Sequence, residues 1–188
     1  MKRLVLFASG SGTNVENIIL FFQKSKTIQV THVLTNNKNA KVIDRCKKLN
    51  TNYLVFNREA FYQSNKILNL LKEEADYIIL AGFLWKIPQN IIDSFPNKII
   101  NVHPALLPNY GGKGMYGMHI HHAVVKNKEK ETGITIHFVN ENYDEGAIIF
   151  QKKVKLIPTD TANDVAKKIA ILEMGYFPKV IKNVILNE

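Results

Sequence analysis

The chain has 188 residues, 46% of them hydrophobic, a size that suits one buried core and a single domain over 1–188. Its net charge of +9 is nearly all lysine, since only Arg3, Arg45 and Arg58 among 25 basic residues are arginines; scattered lysine suits a small anionic substrate better than nucleic acid, which is read with arginine. No run reaches the roughly 18 apolar residues of a membrane span, the apolar stretch after Lys2 and Arg3 is too short for a signal peptide, and the lone Cys46 permits no intrachain disulfide. The expectation is a cytoplasmic protein with small-molecule partners, no nucleic acid and no membrane.

In chain order, a strand is predicted over Arg3–Ala8 and a helix over Thr13–Lys24. Between them lies Ser9-Gly10-Ser11-Gly12-Thr13-Asn14-Val15. Such a strand–glycine turn–helix aims backbone N–H groups at its ligand, and the helix dipole favours an anion there. A dinucleotide fingerprint is excluded on two counts: Val15 stands where a third glycine belongs, and the next strand ends Val33-Leu34-Thr35-Asn36-Asn37 without a ribose-binding acid. A P-loop lacks its Gly-Lys-Ser/Thr. A terminal phosphate suits what remains.

Further strands are predicted over Ile28–Thr35, Asn52–Phe56, Tyr77–Leu80 and Ile99–His103, with helices over Ala40–Leu49, Glu59–Glu74 and Pro88–Ser94. Val42, Cys46 and Leu49 share one helical face, which makes Cys46 a core residue. Strands such as Ile78-Ile79-Leu80 are apolar without alternation, as in a parallel sheet covered on both faces. The pattern is α/β, a Rossmann-like doubly wound and mostly parallel sheet, with a nucleotide-binding half over 1–103.

Asn101 and His103 share one face at the carboxyl end of a strand that Pro104 closes. Two readings suit them: polar residues capping loops, or an amide and imidazole that stabilise an oxyanion. Without a serine in a nucleophile elbow, the second reading implies direct attack by a substrate amine. A long Pro- and Gly-rich loop occupies 104–118, followed by a short helix near His121–Lys126. His119, His121 and His122 lack the spacing of a helical metal site, so no metal is expected.

Thr132–Val139 and Ala147–Leu156 alternate better and read as two antiparallel C-terminal strands around a turn. Asp144 on that turn is either an ordinary turn residue or a carboxylate that orients His103. A last helix starts near Ala162, and Pro178 predicts a kink or break in it.

Taken in order, Ser9-Gly10-Ser11-Gly12-Thr13-Asn14, Ala81-Gly82-Phe83, Asn101-Val102-His103-Pro104-Ala105-Leu106-Leu107-Pro108, Gly133-Ile134-Thr135-Ile136-His137-Phe138-Val139 and Asp144-Glu145-Gly146 closely resemble the formyltetrahydrofolate-dependent formyltransferases, and the glycine loop resembles their glycinamide ribonucleotide branch. The resemblance implies the formyltransferase fold and transfer of the formyl group of 10-formyltetrahydrofolate, as cosubstrate, to the amine of 5′-phosphoribosylglycinamide in purine biosynthesis. It implies a catalytic set of Asn101, His103 and Asp144, with Gly10, Ser11, Gly12, Thr13 and Glu173 on the ribonucleotide. It puts Arg58, Leu84, Trp85, Lys86, Ile87, Asn101, Asn140 and Asp144 on the folate, and makes 104–188 the folate-binding and catalytic half of a monomer or homodimer.

The chain departs from the family pattern in a longer loop over Asn109–Met118 and in Trp85 and Lys86, where the family often has an arginine or an aliphatic residue. Formyltetrahydrofolate hydrolase and a non-catalytic nucleotide-binding module are the alternatives. Methionyl-tRNA formyltransferase shares the Asn-x-His-Pro motif, but its tRNA-gripping C-terminal domain is not expected in a chain ending at Glu188.

Overall fold

The structure is a computed structural model of the chain and describes residues 1–187. Seven strands form one mixed sheet in the order β3-β2-β1-β4-β5-β6-β7. They are β1 (Lys2–Phe7), β2 (Ile28–Thr35), β3 (Asn52–Val55), β4 (Tyr77–Leu80), β5 (Ile99–His103), β6 (Glu131–Phe138) and β7 (Ile148–Lys155). The helices are α1 (Thr13–Phe22), α2 (Val42–Lys48), α3 (Lys66–Glu74), α4 (Gln89–Ser94), α5 (Met118–Lys126) and α6 (Ala162–Leu186). The expected α/β sheet with antiparallel C-terminal strands is therefore observed. Two compact units divide the chain, one of Met1–Ile100 with the end of α6 from Ile185, the other Asn101–Val184.

In the first unit, β3-β2-β1-β4 are parallel. Leu4–Phe7 of β1 and Tyr77–Leu80 of β4 are buried along their whole length, as continuous apolar strands require when both sheet faces are covered. The strand order reverses at β1, so the loop after β1 opens at the switch point where such sheets bind ligands. Cys46 is fully buried on α2 and its thiol is pushed up to about 11 by that burial, the state of a packing residue.

The predicted helix over 59–74 is two pieces. Ser64 donates its N–H to the Glu59 carbonyl, closing a single π-helical turn over Glu59–Gln63, and α3 begins afresh at Lys66. The reason is aromatic packing. The turn sinks Phe61 among Phe7, Phe56 and Phe83, with ring centroids 6.1, 5.0 and 5.7 Å away.

In the second unit, β6 and β7 pair antiparallel, and β6 is buried from Thr132 to His137 while β7 is half-exposed. The register jumps between Ile136 and His137, leaving Ile149 as an extra residue on β7. A bulge of this kind re-aims the neighbouring side chain. α5 begins at Met118, three residues before its predicted start. α6 runs unbroken through Pro178, so the predicted break is absent. Phe177, Pro178, Val180 and Ile181 are all buried on α6, and that packing offsets the local cost of the missing N–H, about 3 kcal/mol.

Candidate active site

The loop between β1 and α1 is braced by hydrogen bonds from three other segments. Val42 donates its N–H to the Gly10 carbonyl, Asn37 donates its amide to the Ser9 carbonyl, and Ser9 Oγ accepts the Leu84 N–H at 3.0 Å. Gly12 is left-handed at φ 71, and a Cβ there would lie 2.8 Å from the Val42 Cα, so both conformation and space demand glycine. Gly12 is the N-cap of α1 and supplies no side-chain cap. Gly10, Ser11 and Thr13 are exposed. Arg45, which its sequence position does not mark as a site residue, adds a further brace: its Nε donates to the Ser11 carbonyl and its guanidinium pairs with Glu16.

Beyond the ends of β2 and β3, a cavity of about 500 Å³ is lined by Asn36, Lys38, Phe56, Arg58, Lys66 and Trp85, among others. Arg58 sits 4.9 Å from the Trp85 ring centroid, a cation–π contact. Three cations and no acid line the cavity, so it suits an anion with an apolar body. Two of the residues expected on the folate side, Arg58 and Trp85, thus share one cavity. Leu84, Lys86 and Ile87 do not line it: Leu84 is exposed, Ile87 is buried, and the Lys86 carbonyl accepts the Tyr62 hydroxyl at 2.9 Å.

In the second unit, Asn101, His103 and Asp144 come together through a residue the sequence reading did not single out, His137. The Asn101 amide donates to His137 Nε2 at 3.1 Å, and Asp144 Oδ1 lies 3.7 Å from that nitrogen and 3.5 Å from His103 Nδ1. His137 Nδ1 faces the Phe138 carbonyl at 2.8 Å and must donate to it, so Nε2 is the acceptor. Its parity with Thr135 on β6 was the available signal, and the bulge beside it sets its aim. Thr135, fully buried, donates to the Ala105 carbonyl and accepts the Leu107 N–H, tying the Pro104–Pro108 turn to β6.

His103 has acceptors at both ring nitrogens: Nε2 meets the Tyr110 carbonyl at 2.8 Å and Nδ1 faces Asp144. Only the doubly protonated ring satisfies both. Burial opposes ionisation of Asp144, but the hydrogen bond and charge of His103 and the Gly112 N–H at 3.0 Å outweigh it and hold the carboxyl below the usual carboxylate range. Burial lowers the His137 pKa, against the pull of the Phe138 carbonyl and Asp144, which keeps this ring neutral. Tyr110 and Asp144 are both left-handed at φ 58, a strain of about 1–3 kcal/mol each that the surrounding contacts must offset. Gly111 lets the loop close, since a Cβ there would lie 2.6 Å from Leu107 Cδ2 and 3.3 Å from Asp144 Cβ.

Asn140 caps its own turn by accepting the Asn142 N–H, and Glu173 is half-buried on α6. Among the described residues, no group of three or more His, Cys, Asp or Glu is arranged to hold a metal ion, and no helix is long and apolar enough to cross a membrane.

An imidazole, an amide and an ionised carboxylate thus meet beside the end of β5. The chain belongs to the Formyl transferase family, whose profile matches residues 2–181. Among named relatives, it is 33% identical to the phosphoribosylglycinamide formyltransferase of Bacillus subtilis (strain 168), over 98% of this chain and 95% of that one. It is 35% identical to the chloroplastic phosphoribosylglycinamide formyltransferase of Arabidopsis thaliana over 96% of this chain, but spans only 64% of that protein, and 60% of its Vigna unguiculata counterpart. The crystal structure of phosphoribosylglycinamide formyltransferase from Anaplasma phagocytophilum matches with a TM-score of 0.89 at 29% identity, covering 99% of this chain and 88% of that one.

Proposed function

We propose that this protein transfers the formyl group of 10-formyltetrahydrofolate to the amine of 5′-phosphoribosylglycinamide, acting as one functional domain over 1–188. The observation that carries the reading is the linked set Asn101–His137–Asp144–His103 in a chain of the formyl transferase family. The substrate phosphate binds the bare turn of Gly10, Ser11, Gly12 and Thr13, and Glu173 contacts the same substrate. The folate side comprises Arg58, Leu84, Trp85, Lys86, Ile87, Asn101, Asn140 and Asp144. The proposal includes a cytoplasmic monomer or homodimer that uses no metal.

The glycinamide amine attacks the formyl carbon, and its lone pair forms the new C–N bond. The carbonyl electrons move to oxygen, where the Asn101 amide donates to them and the nearby positive charge of the His103 imidazolium favours them; one such donor is worth about 3 kcal/mol in the transition state. Asp144 stays ionised and keeps His103 charged. The intermediate collapses as the bond to the folate nitrogen breaks. That nitrogen takes up a proton and the attacking amine gives one up, so no covalent enzyme intermediate forms.

One absorbance assay tests this. Purified protein is given 10-formyltetrahydrofolate with and without the ribonucleotide, and folate product is expected only with both. Folate release without the acceptor would identify a hydrolase, and no product in either case would leave a non-catalytic binding module.

A further inference from the structure

We propose that Tyr110 is a positioning residue for His103: its phenol, held by Glu129 and Asn127, keeps the Tyr110 carbonyl against His103 Nε2. The loop after Pro108 gives the catalytic cluster two backbone contacts, the Tyr110 carbonyl at 2.8 Å from His103 Nε2 and the Gly112 N–H at 3.0 Å from Asp144 Oδ2. A backbone contact is only as constant as the loop that carries it. Tyr110 is left-handed at φ 58, a conformation its β-carbon disfavours, so something must hold it.

The side chain supplies that hold. The phenol donates to Glu129 Oε1 at 2.6 Å and accepts the Asn127 amide at 2.8 Å. Both anchors are themselves fixed at the end of α5: Asn127 is its C-cap and donates its N–H to the Ala123 carbonyl, and Glu129 donates its N–H to the Val124 carbonyl. Burial first, and then Glu129, raise the Tyr110 pKa, so the hydroxyl keeps its proton and remains a donor. A continuous path thus runs from the end of α5 through the phenol and the strained backbone to His103 Nε2. The carbonyl requires a hydrogen on Nε2, so the clasp also fixes that nitrogen as a donor before substrate arrives.

The kinetic arm of the test rests on the formyl-transfer reading; the spectroscopic arm does not. In Tyr110→Phe and Glu129→Ala, kcat should fall about 10- to 100-fold, the cost of a misplaced catalytic group, with the ribonucleotide KM within about twofold. In the ligand-free wild-type protein, the His103 Nε2–H resonance should be protected from exchange; it should be lost in both variants. Glu129→Gln retains an acceptor oxygen and should restore both rate and resonance. Glu129 is exposed, so Glu129→Ala serves if Tyr110→Phe fails to fold by circular dichroism. Wild-type kcat with an unchanged His103 resonance in Tyr110→Phe overturns the proposal, and so does a Glu129→Gln as impaired as Glu129→Ala. A wild-type protein without formyl transfer, but with the resonance pattern as expected, removes the function and leaves the positioning role standing.

Discussion

The turn over Gly10–Thr13 and the cluster around His103 are built on opposite principles. The turn offers backbone: Gly10, Ser11 and Thr13 are exposed, α1 has no side-chain cap, and the braces come from Asn37, Val42, Leu84 and Arg45. The cluster offers side chains: His103 and His137 are only 4% and 2% exposed, and each polar atom in the chain of contacts has its partner assigned before substrate arrives. A backbone anion site tolerates a range of phosphates and does no chemistry. A buried ionised cluster costs folding energy, which in the proposed reaction is offset by what it does to a transition state. Binding and catalysis should therefore respond separately to substitution.

The largest break should come from His103→Ala or Asp144→Asn. Each should lower kcat by about 10²- to 10⁴-fold while ribonucleotide binding, followed by calorimetry, persists. Turnover near wild type in either would end the catalytic assignment. Asp144→Asn should also change acid stability. The folded carboxyl titrates below its unfolded value of about 3.9, so its contribution is present above that pH and is lost as pH falls through the folded value. Urea midpoints of wild type should drop on acidification below pH ~4 by more than those of Asp144→Asn; parallel curves would show that Asp144 has no special partner.

Gly12→Ala should act on the other side of the comparison. The methyl group meets the Val42 backbone, and φ 71 is unfavourable for alanine, so about 1–3 kcal/mol of stability should be lost, with weaker ribonucleotide binding. A variant with unchanged melting and affinity would mean that the turn relaxes freely. Arg45→Met is a gentler probe, since it removes only the brace on the Ser11 carbonyl and the pair with Glu16. A rise of about 3- to 10-fold in ribonucleotide KM with unchanged kcat is expected; a fall in kcat alone would contradict the division. The smallest effect belongs to Cys46. Burial raises its thiol to about 11, so mass spectrometry after iodoacetamide treatment of native protein at pH 8 should find it unmodified.

The two regions also differed in how far the sequence disclosed them. The turn is local: two glycines between an apolar strand and a helix state its conformation, and the structure shifts each end of the strand by one residue and ends the helix two residues early, at Phe22. The parity of Asn101 and His103 was likewise local. What joins them to Asp144 was not. His137 stands out in the sequence only as part of a motif, because its role depends on the bulge at Ile149 and on Asn101, 36 positions away. Arg45 was passed over for the same reason, lying 34 residues from the carbonyl it holds. The π turn at Glu59–Gln63 and the unbroken α6 show tertiary packing prevailing over local preference, through Phe61 in one case and the buried stripe around Pro178 in the other.

The cavity beside Arg58 has a practical corollary. Trp85 is the chain's only tryptophan, and a guanidinium rests on its indole within the same cavity. An anion that draws Arg58 towards itself uncovers the ring. Intrinsic fluorescence excited near 295 nm should therefore report occupancy of this one place, without a label and without turnover.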